Sequence, residues 1–319
     1  MSKQENNRAL SSTVAKPSLE KLIPVRDRLK TWLGREGSLA RSCAAAGLTI
    51  VEYLALHALR RPHPVLPPEE QVETWIATIK RDGYCVVPDF IDRKTCRSCI
   101  YELERIFRDF PISVHARSDH RIFGVEKDSQ LIRIFADEPR LLSTAKAILR
   151  EPSRNAFVLG SRLDFSEGNL GSGEGWHRDS FVAQFKAILY LTDVNHDNGP
   201  FQLIKRSEKL PVLIRDVIRE RFGYSQKRFA DYQIQQLVQR DPARLVTFTG
   251  SAGTLILANT SAIHRGSPIR TATRYALTNY YFPHRMSDER LFNKFAPVLT
   301  AEARNSDHAD DALCPVILK

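Results

Sequence analysis

Cysteine is scarce and does not pair off in this chain: five of 319 residues, spread over Cys43, Cys85, Cys96, Cys99 and Cys314. An odd and scattered set argues against a disulfide framework. With no apolar leader core ahead of Cys43, a reducing cytoplasm is the expected compartment. Cys96 and Cys99 form a CxxC in a helix-like run, but no second CxxC and no His pair completes a zinc site. Uninterrupted apolar stretches are also missing. The most apolar segment, Ser38 to Leu59, is broken by Arg41, Glu52 and His57, so no bilayer span is expected. Basic clusters interleaved with aromatics are absent, which makes nucleic acid the least expected partner.

What is present is an ordinary apolar fraction, 42%, enough for a large core. The net charge of +10 is uneven. Residues 1–61 carry eleven Lys and Arg against five Asp and Glu, and residues 205–244 carry ten against five. Such surpluses favour anionic partners: a phosphorylated or carboxylated small molecule, or an anionic lipid. The alternative is a basic surface that only aids solubility.

Patterning divides the chain in two. Residues 1–61 read as a polar, disordered tail followed by a helical extension, with helices from Leu19 to Trp32 and from Ser38 to Leu59. The second helix suits packing on the following domain or on a second subunit; the alternative is a basic amphipathic segment, residues 19–61, resting peripherally on a membrane. Pro62, Pro64, Pro67 and Pro68 mark a boundary. Helices are expected over Glu69–Lys80, Arg93–Phe110 and Gln130–Arg150, with strands at Tyr84–Phe90 and Ile122–Gly124. From Ala156 onward come short apolar runs separated by turn residues: 156–165, 185–192, 201–204, 245–248, 254–257 and 275–282. That texture belongs to a β-sandwich or barrel. It is interrupted by a basic helical insertion at about 210–240, too long for a simple connection.

The chemistry concentrates in Gly175-Trp176-His177-Arg178-Asp179. On an extended strand His177 and Asp179 point the same way, so an imidazole and a carboxylate can share one metal ion. His264, after an apolar run, is the candidate third ligand. Two His and one carboxylate with open positions is the arrangement of non-heme Fe(II) oxygenases.

These segments, with Gly83-Tyr84-Cys85-Val86-Val87-Pro88 before Phe90, Asp193 to Phe201, His264-Arg265-Gly266 and Arg274-Tyr275-Ala276-Leu277, resemble the phytanoyl-CoA dioxygenase family. The resemblance runs in one order from about Glu69 to His284. It implies a mainly β domain with helices, a double-stranded β-helix (cupin-like jelly roll) over residues 62–319, using Fe(II), 2-oxoglutarate and O2. It assigns His177, Asp179 and His264 to the metal and Arg274 to the far carboxylate of 2-oxoglutarate, where a permanently charged, bidentate donor is required. Arg270 is the competitor, and Tyr190 or Thr192 would lend a hydroxyl. Related halogenases keep a small residue at the position of Asp179, so hydroxylation with release of succinate and CO2 is the expected outcome.

One departure affects the substrate. Where family members commonly carry Pro-Gly-Ser-His, this chain has Ile204-Lys205-Arg206-Ser207-Glu208, so a coenzyme A thioester is not inferred. Candidates for holding an anionic small-molecule or lipid-linked substrate are Arg162, Arg178, His120, Arg121, Lys205, Arg206 and Asn279. The rival to the enzyme is a cupin-like sensor that binds metal without turnover.

Overall fold

A computed structural model of the chain describes residues 39–58, 69–110, 113–115 and 118–283, with only the backbone described at 113–115. The expected tail, the helix over 19–32, the boundary at Pro62 and Cys314 lie outside the described residues. Among these, the strands are β1 (Tyr84–Val87), β2 (Ser113–His115), β3 (Asp119–Phe123), β4 (Ser153–Leu163), β5 (Phe185–Tyr190), β6 (Phe201–Ile204), β7 (Leu245–Phe248), β8 (Leu255–Asn259), β9 (His264–Gly266) and β10 (Arg274–Pro283). They form two antiparallel sheets, one ordered β1-β8-β5-β10-β4-β3-β2 and a smaller one ordered β7-β6-β9. This is the jelly-roll arrangement that the family resemblance implies, within the sandwich-or-barrel class expected from the short-strand texture.

Helices α2 (Glu70–Asp82), α3 (Arg93–Asp109), α4 (Gln130–Ala136) and α5 (Pro139–Leu149) cover one face of the large sheet. Local chemistry sets their ends. Gly83 closes α2 in the left-handed region and returns its N–H to Ile79 O at 2.8 Å. Asp92 caps α3 by accepting from Lys94 N and Thr95 N. Strand alternation then sorts side chains between two cores. Phe185, Ala187 and Leu189 of β5 face the helices, while Ile188 and Tyr190 face the small sheet beside Phe201, Leu203 and Phe248. Burying each of the larger apolar side chains contributes about 1.5–3 kcal/mol. At Gly160 of β4 an added Cβ would lie 2.5 Å from Leu103 Cδ2, so only glycine lets α3 approach this closely.

The predicted insertion forms α6 (Leu210–Arg219) and α7 (Asp231–Arg240), which build a third core with Trp176, Ile204, Phe229 and Ile263. α1 (Leu39–Ala58) docks here, burying Ala45 and Ala46 against α6. By length and composition α1 would qualify as a membrane span, so the interruptions counted in the sequence do not exclude one by themselves. Its packing on the insertion matches the expected helix docked on the domain. Cys96 and Cys99 face the core from α3, and burial pushes their thiols up to about 11 and about 12. That is the environment of inert structural cysteines.

Candidate metal centre

The segment 176–179 runs extended between two backbones. On one side His177 N donates to His264 O at 2.9 Å and His264 N returns to His177 O at 2.7 Å. On the other, Arg178 N donates to Lys227 O and Phe229 N to Trp176 O. The insertion therefore supplies an isolated β-bridge that sets the histidine of the His-x-Asp, and His177 lies directly opposite both His264 and Arg228. Directly opposed antiparallel residues share a face, so both imidazoles project to the same side.

One nitrogen of each imidazole is committed to the backbone. His177 Nδ1 lies 2.9 Å from Gly175 O, and His264 Nδ1 lies 2.9 Å from Ala262 O. A carbonyl can only accept, so Nδ1 carries the proton and Nε2 offers its lone pair inward. Both Nε2 atoms face Asp179, at 3.7 Å from Oδ1 for His177 and 3.9 Å from Oδ2 for His264. Ligand atoms of His177, Asp179 and His264 all lie within 4.8 Å of one another. The donor set, its tautomers and its separation fit a divalent metal ion.

The electrostatics keep these groups in their ligating forms. Burial holds His177 below its usual range and pulls His264 down to about 3, so both imidazoles are neutral at ordinary pH. Burial also works against the charge of Asp179, but Lys186 and the two histidines outweigh it and hold the carboxyl below its usual range. Lys186 Nζ lies 2.7 Å from Asp179 Oδ2. Nothing in the sequence reading singled out this lysine; its signal is one charge inside the apolar strand Phe-Lys-Ala-Ile-Leu-Tyr.

A loop of glycines rims the site. Gly173 (φ +85°) passes so close that an added Cβ would lie 2.4 Å from His177 Cε1. Gly173→Ala is expected to displace the His177 ring and weaken Mn(II) binding about tenfold or more, by analogy with lost ligand-orienting contacts. Titration followed by the electron paramagnetic resonance of free Mn(II) checks this, and unchanged affinity would refute it. Arg228, also missed in the sequence, fastens the loop by donating to Gly173 O and Glu174 O, both at 3.1 Å.

Arg274 is 5% exposed on the inner face of β10, with Ala276 and Thr278 following along the same face. Its Nη1 donates to Gly199 O, and its Nε is buried without a partner among the described residues. Burial lowers its affinity for a proton. Arg270 is instead exposed, 3.6 Å from Asp197. The Tyr190 hydroxyl is committed to tying the sheets, donating to Phe248 O and accepting from Phe201 N. Thr192 Oγ1 accepts from Tyr275 N.

Of the substrate candidates, Arg121 faces the interior, paired with Asp119 at 2.8 Å and with Ser172 Oγ at 3.2 Å. The others go elsewhere, chiefly because of strand parity. Arg162 turns to the helical side, onto Glu104 of α3, and His120 follows it toward Asp164. Asn279 is on the face opposite Arg274 and donates to Phe135 O. Arg178 points away from both metal-facing neighbours into the insertion core, its guanidinium 5.1 Å from the Phe181 ring and 5.7 Å from that of Phe229. Burial brings its guanidinium down to about 10. Lys205 pairs with Asp82, and Arg206 occupies a left-handed turn (φ +64°).

The phytanoyl-CoA dioxygenase family model matches residues 79–276. The chain belongs to that family. It is accordingly an iron- and 2-oxoglutarate-dependent enzyme of the oxygenase class. No curated protein matches the sequence. Among solved structures, the epimerase SnoN, solved with Fe3+, alpha ketoglutarate and nogalamycin RO, superposes with TM-score 0.52 at 18% identity, over 68% of this chain and 85% of that one. The carbocyclase SnoK from nogalamycin biosynthesis gives 0.51 at 13% identity, over 70% and 87%. EctD from S. alaskensis in its apoform gives 0.50 at 18% identity, over 70% and 83%. At these identities the family's fold is shared, and reaction outcome is a separate matter.

Proposed function

We propose that the protein hydroxylates an anionic small molecule, with His177, Asp179 and His264 holding Fe(II) and Arg274 holding the far carboxylate of 2-oxoglutarate. The observation that carries this is the convergence of two neutral imidazoles and one carboxylate within 4.8 Å, inside a sandwich that also buries a guanidinium whose Nε has no partner among the described residues. Iron with 2-oxoglutarate and O2 supplies an oxidant strong enough to break a substrate C–H bond, with succinate and CO2 as co-products. The chain's part is positional. The carbonyls of Gly175 and Ala262 orient the imidazoles, the glycine loop limits access, and the two sheets exclude water from the reacting side. On the inner side Arg121 is paired with Asp119 and Lys186 with Asp179, and Arg274 is taken by 2-oxoglutarate, so the cation left to a substrate is Arg228 at the rim. That rim cation supports an acidic substrate. A retained Asp179 supports hydroxylation over halogen transfer.

The test is succinate formation on admitting O2 to anaerobically iron-loaded protein. Wild type is expected to turn over 2-oxoglutarate slowly without substrate. Arg274→Ala should raise the 2-oxoglutarate concentration required by about 10- to 100-fold, the loss of a charged hydrogen bond. Arg274→Lys should recover only part, because an ammonium cannot bind bidentately. If wild type neither forms succinate nor binds 2-oxoglutarate, a metal-binding protein without turnover replaces this reading.

A further inference from the structure

Lys186 sits on the inner face of β5, 7% exposed, in a strand whose other residues are apolar or aromatic. Its ammonium lies 2.7 Å from Asp179 Oδ2 and 4.4 Å from the centre of the Tyr280 ring on β10. Among the described residues Asp179 is the carboxylate it pairs with. The histidines on the other side, His177 and His264, both feel its charge. A cation this buried is costly unless paired, so the contact with Asp179 persists wherever the side chain stays inside.

We propose that Lys186 is a positioning residue for the metal, an inference that rests on the reading of His177, Asp179 and His264 as ligands. By pairing with Oδ2 it restrains the carboxylate and leaves Oδ1, 3.7 Å from His177 Nε2, as the oxygen free of the lysine. Were a metal held by His177, Asp179 and His264, Lys186 would favour its contact with a single carboxylate oxygen and so leave room for the cosubstrate. Its charge has a second effect. A dication arriving beside Asp179 meets a like charge a few ångströms away in a water-poor site, where repulsion is weakly screened. Lys186 therefore holds the metal-free carboxylate ready while making metal binding weaker than the three ligands alone would give.

The test is Mn(II) affinity, read from the paramagnetic resonance of the free ion, on the full chain carrying Lys186→Met, Lys186→Gln or Lys186→Arg. Both neutral variants are expected to bind Mn(II) about tenfold tighter or more, and Lys186→Arg to stay close to wild type. Co(II) absorption of the neutral variants should shift, reporting a changed carboxylate mode. Lys186→Gln keeps an N–H donor for Asp179 and serves where Lys186→Met does not fold. A merely structural lysine would alter stability in the variants without tightening the metal. Neutral variants that bind Mn(II) no more tightly than wild type would overturn the proposal while leaving the ligand reading intact. Wild type that binds no Mn(II) would overturn both.

Discussion

His264→Ala is expected to weaken Mn(II) or Fe(II) binding more than about 100-fold, beyond the loss usual for a mere ligand-orienting contact, and to bring succinate formation below detection. The imidazole is 3% exposed, its Nδ1 is engaged by Ala262 O, and its Nε2 faces Asp179. No other described side chain is placed to substitute for it: the cluster able to hold a metal consists of His177, Asp179 and His264. The backbone of β9 pairs with Phe201–Leu203 through its own N–H and C=O groups, so the change removes a ligand without removing the strand. Exposed His196→Ala is the control and should bind metal normally. Retention of metal affinity within tenfold of wild type by His264→Ala would refute the centre.

The second large effect is on stability. Arg244 and Asp216 form a bidentate pair, Nη1 to Oδ1 at 2.9 Å and Nη2 to Oδ2 at 2.6 Å, with both residues buried. Asp216→Ala leaves the guanidinium buried beside no matching carboxylate, which typically costs about 3–5 kcal/mol. For a domain of this size the melting temperature should fall by roughly 10 °C. The Asp216→Leu, Arg244→Met double variant should recover most of it, because a well-packed apolar pair of similar volume removes the stranded charge. Asp216 belongs to α6, and the segment between α6 and α7 pairs with Trp176 and Arg178. Amide exchange at Arg178 and Phe229 should therefore quicken in Asp216→Ala. A fall of less than about 2 °C, with unchanged exchange, would show that the pair does not hold the insertion.

How much of this was legible in advance differs residue by residue. The clustering of His177 with Asp179 was, because its rule is local: alternate residues of an extended segment share a face, so the two side chains had to point together. The same parity separates Asn279 from Arg274. The placing of Arg274 on a strand and Arg270 before it was legible as apolar run against turn, and the insertion near 210–240 was legible as composition. Arg162 and His120 were not. β4 and β3 are covered on both sides, and no periodicity says which side is the helices and which the second sheet. Arg178, a substrate candidate by charge alone, has neighbours on either side that face the metal-binding cluster, so parity turns it the other way.

By itself the sequence determined the element types, the family's ligand spacing and the excess of cations near the insertion, all of which follow from local periodicity, turn chemistry and side-chain identity. Only the tertiary structure decided that Lys186 stands against Asp179, that Arg228 comes back to the rim of the site, and that α1 lies on α6. These are contacts between residues far apart in the chain, chosen by which faces the sheets and helices bury against one another, and that choice is made by packing the whole domain at once.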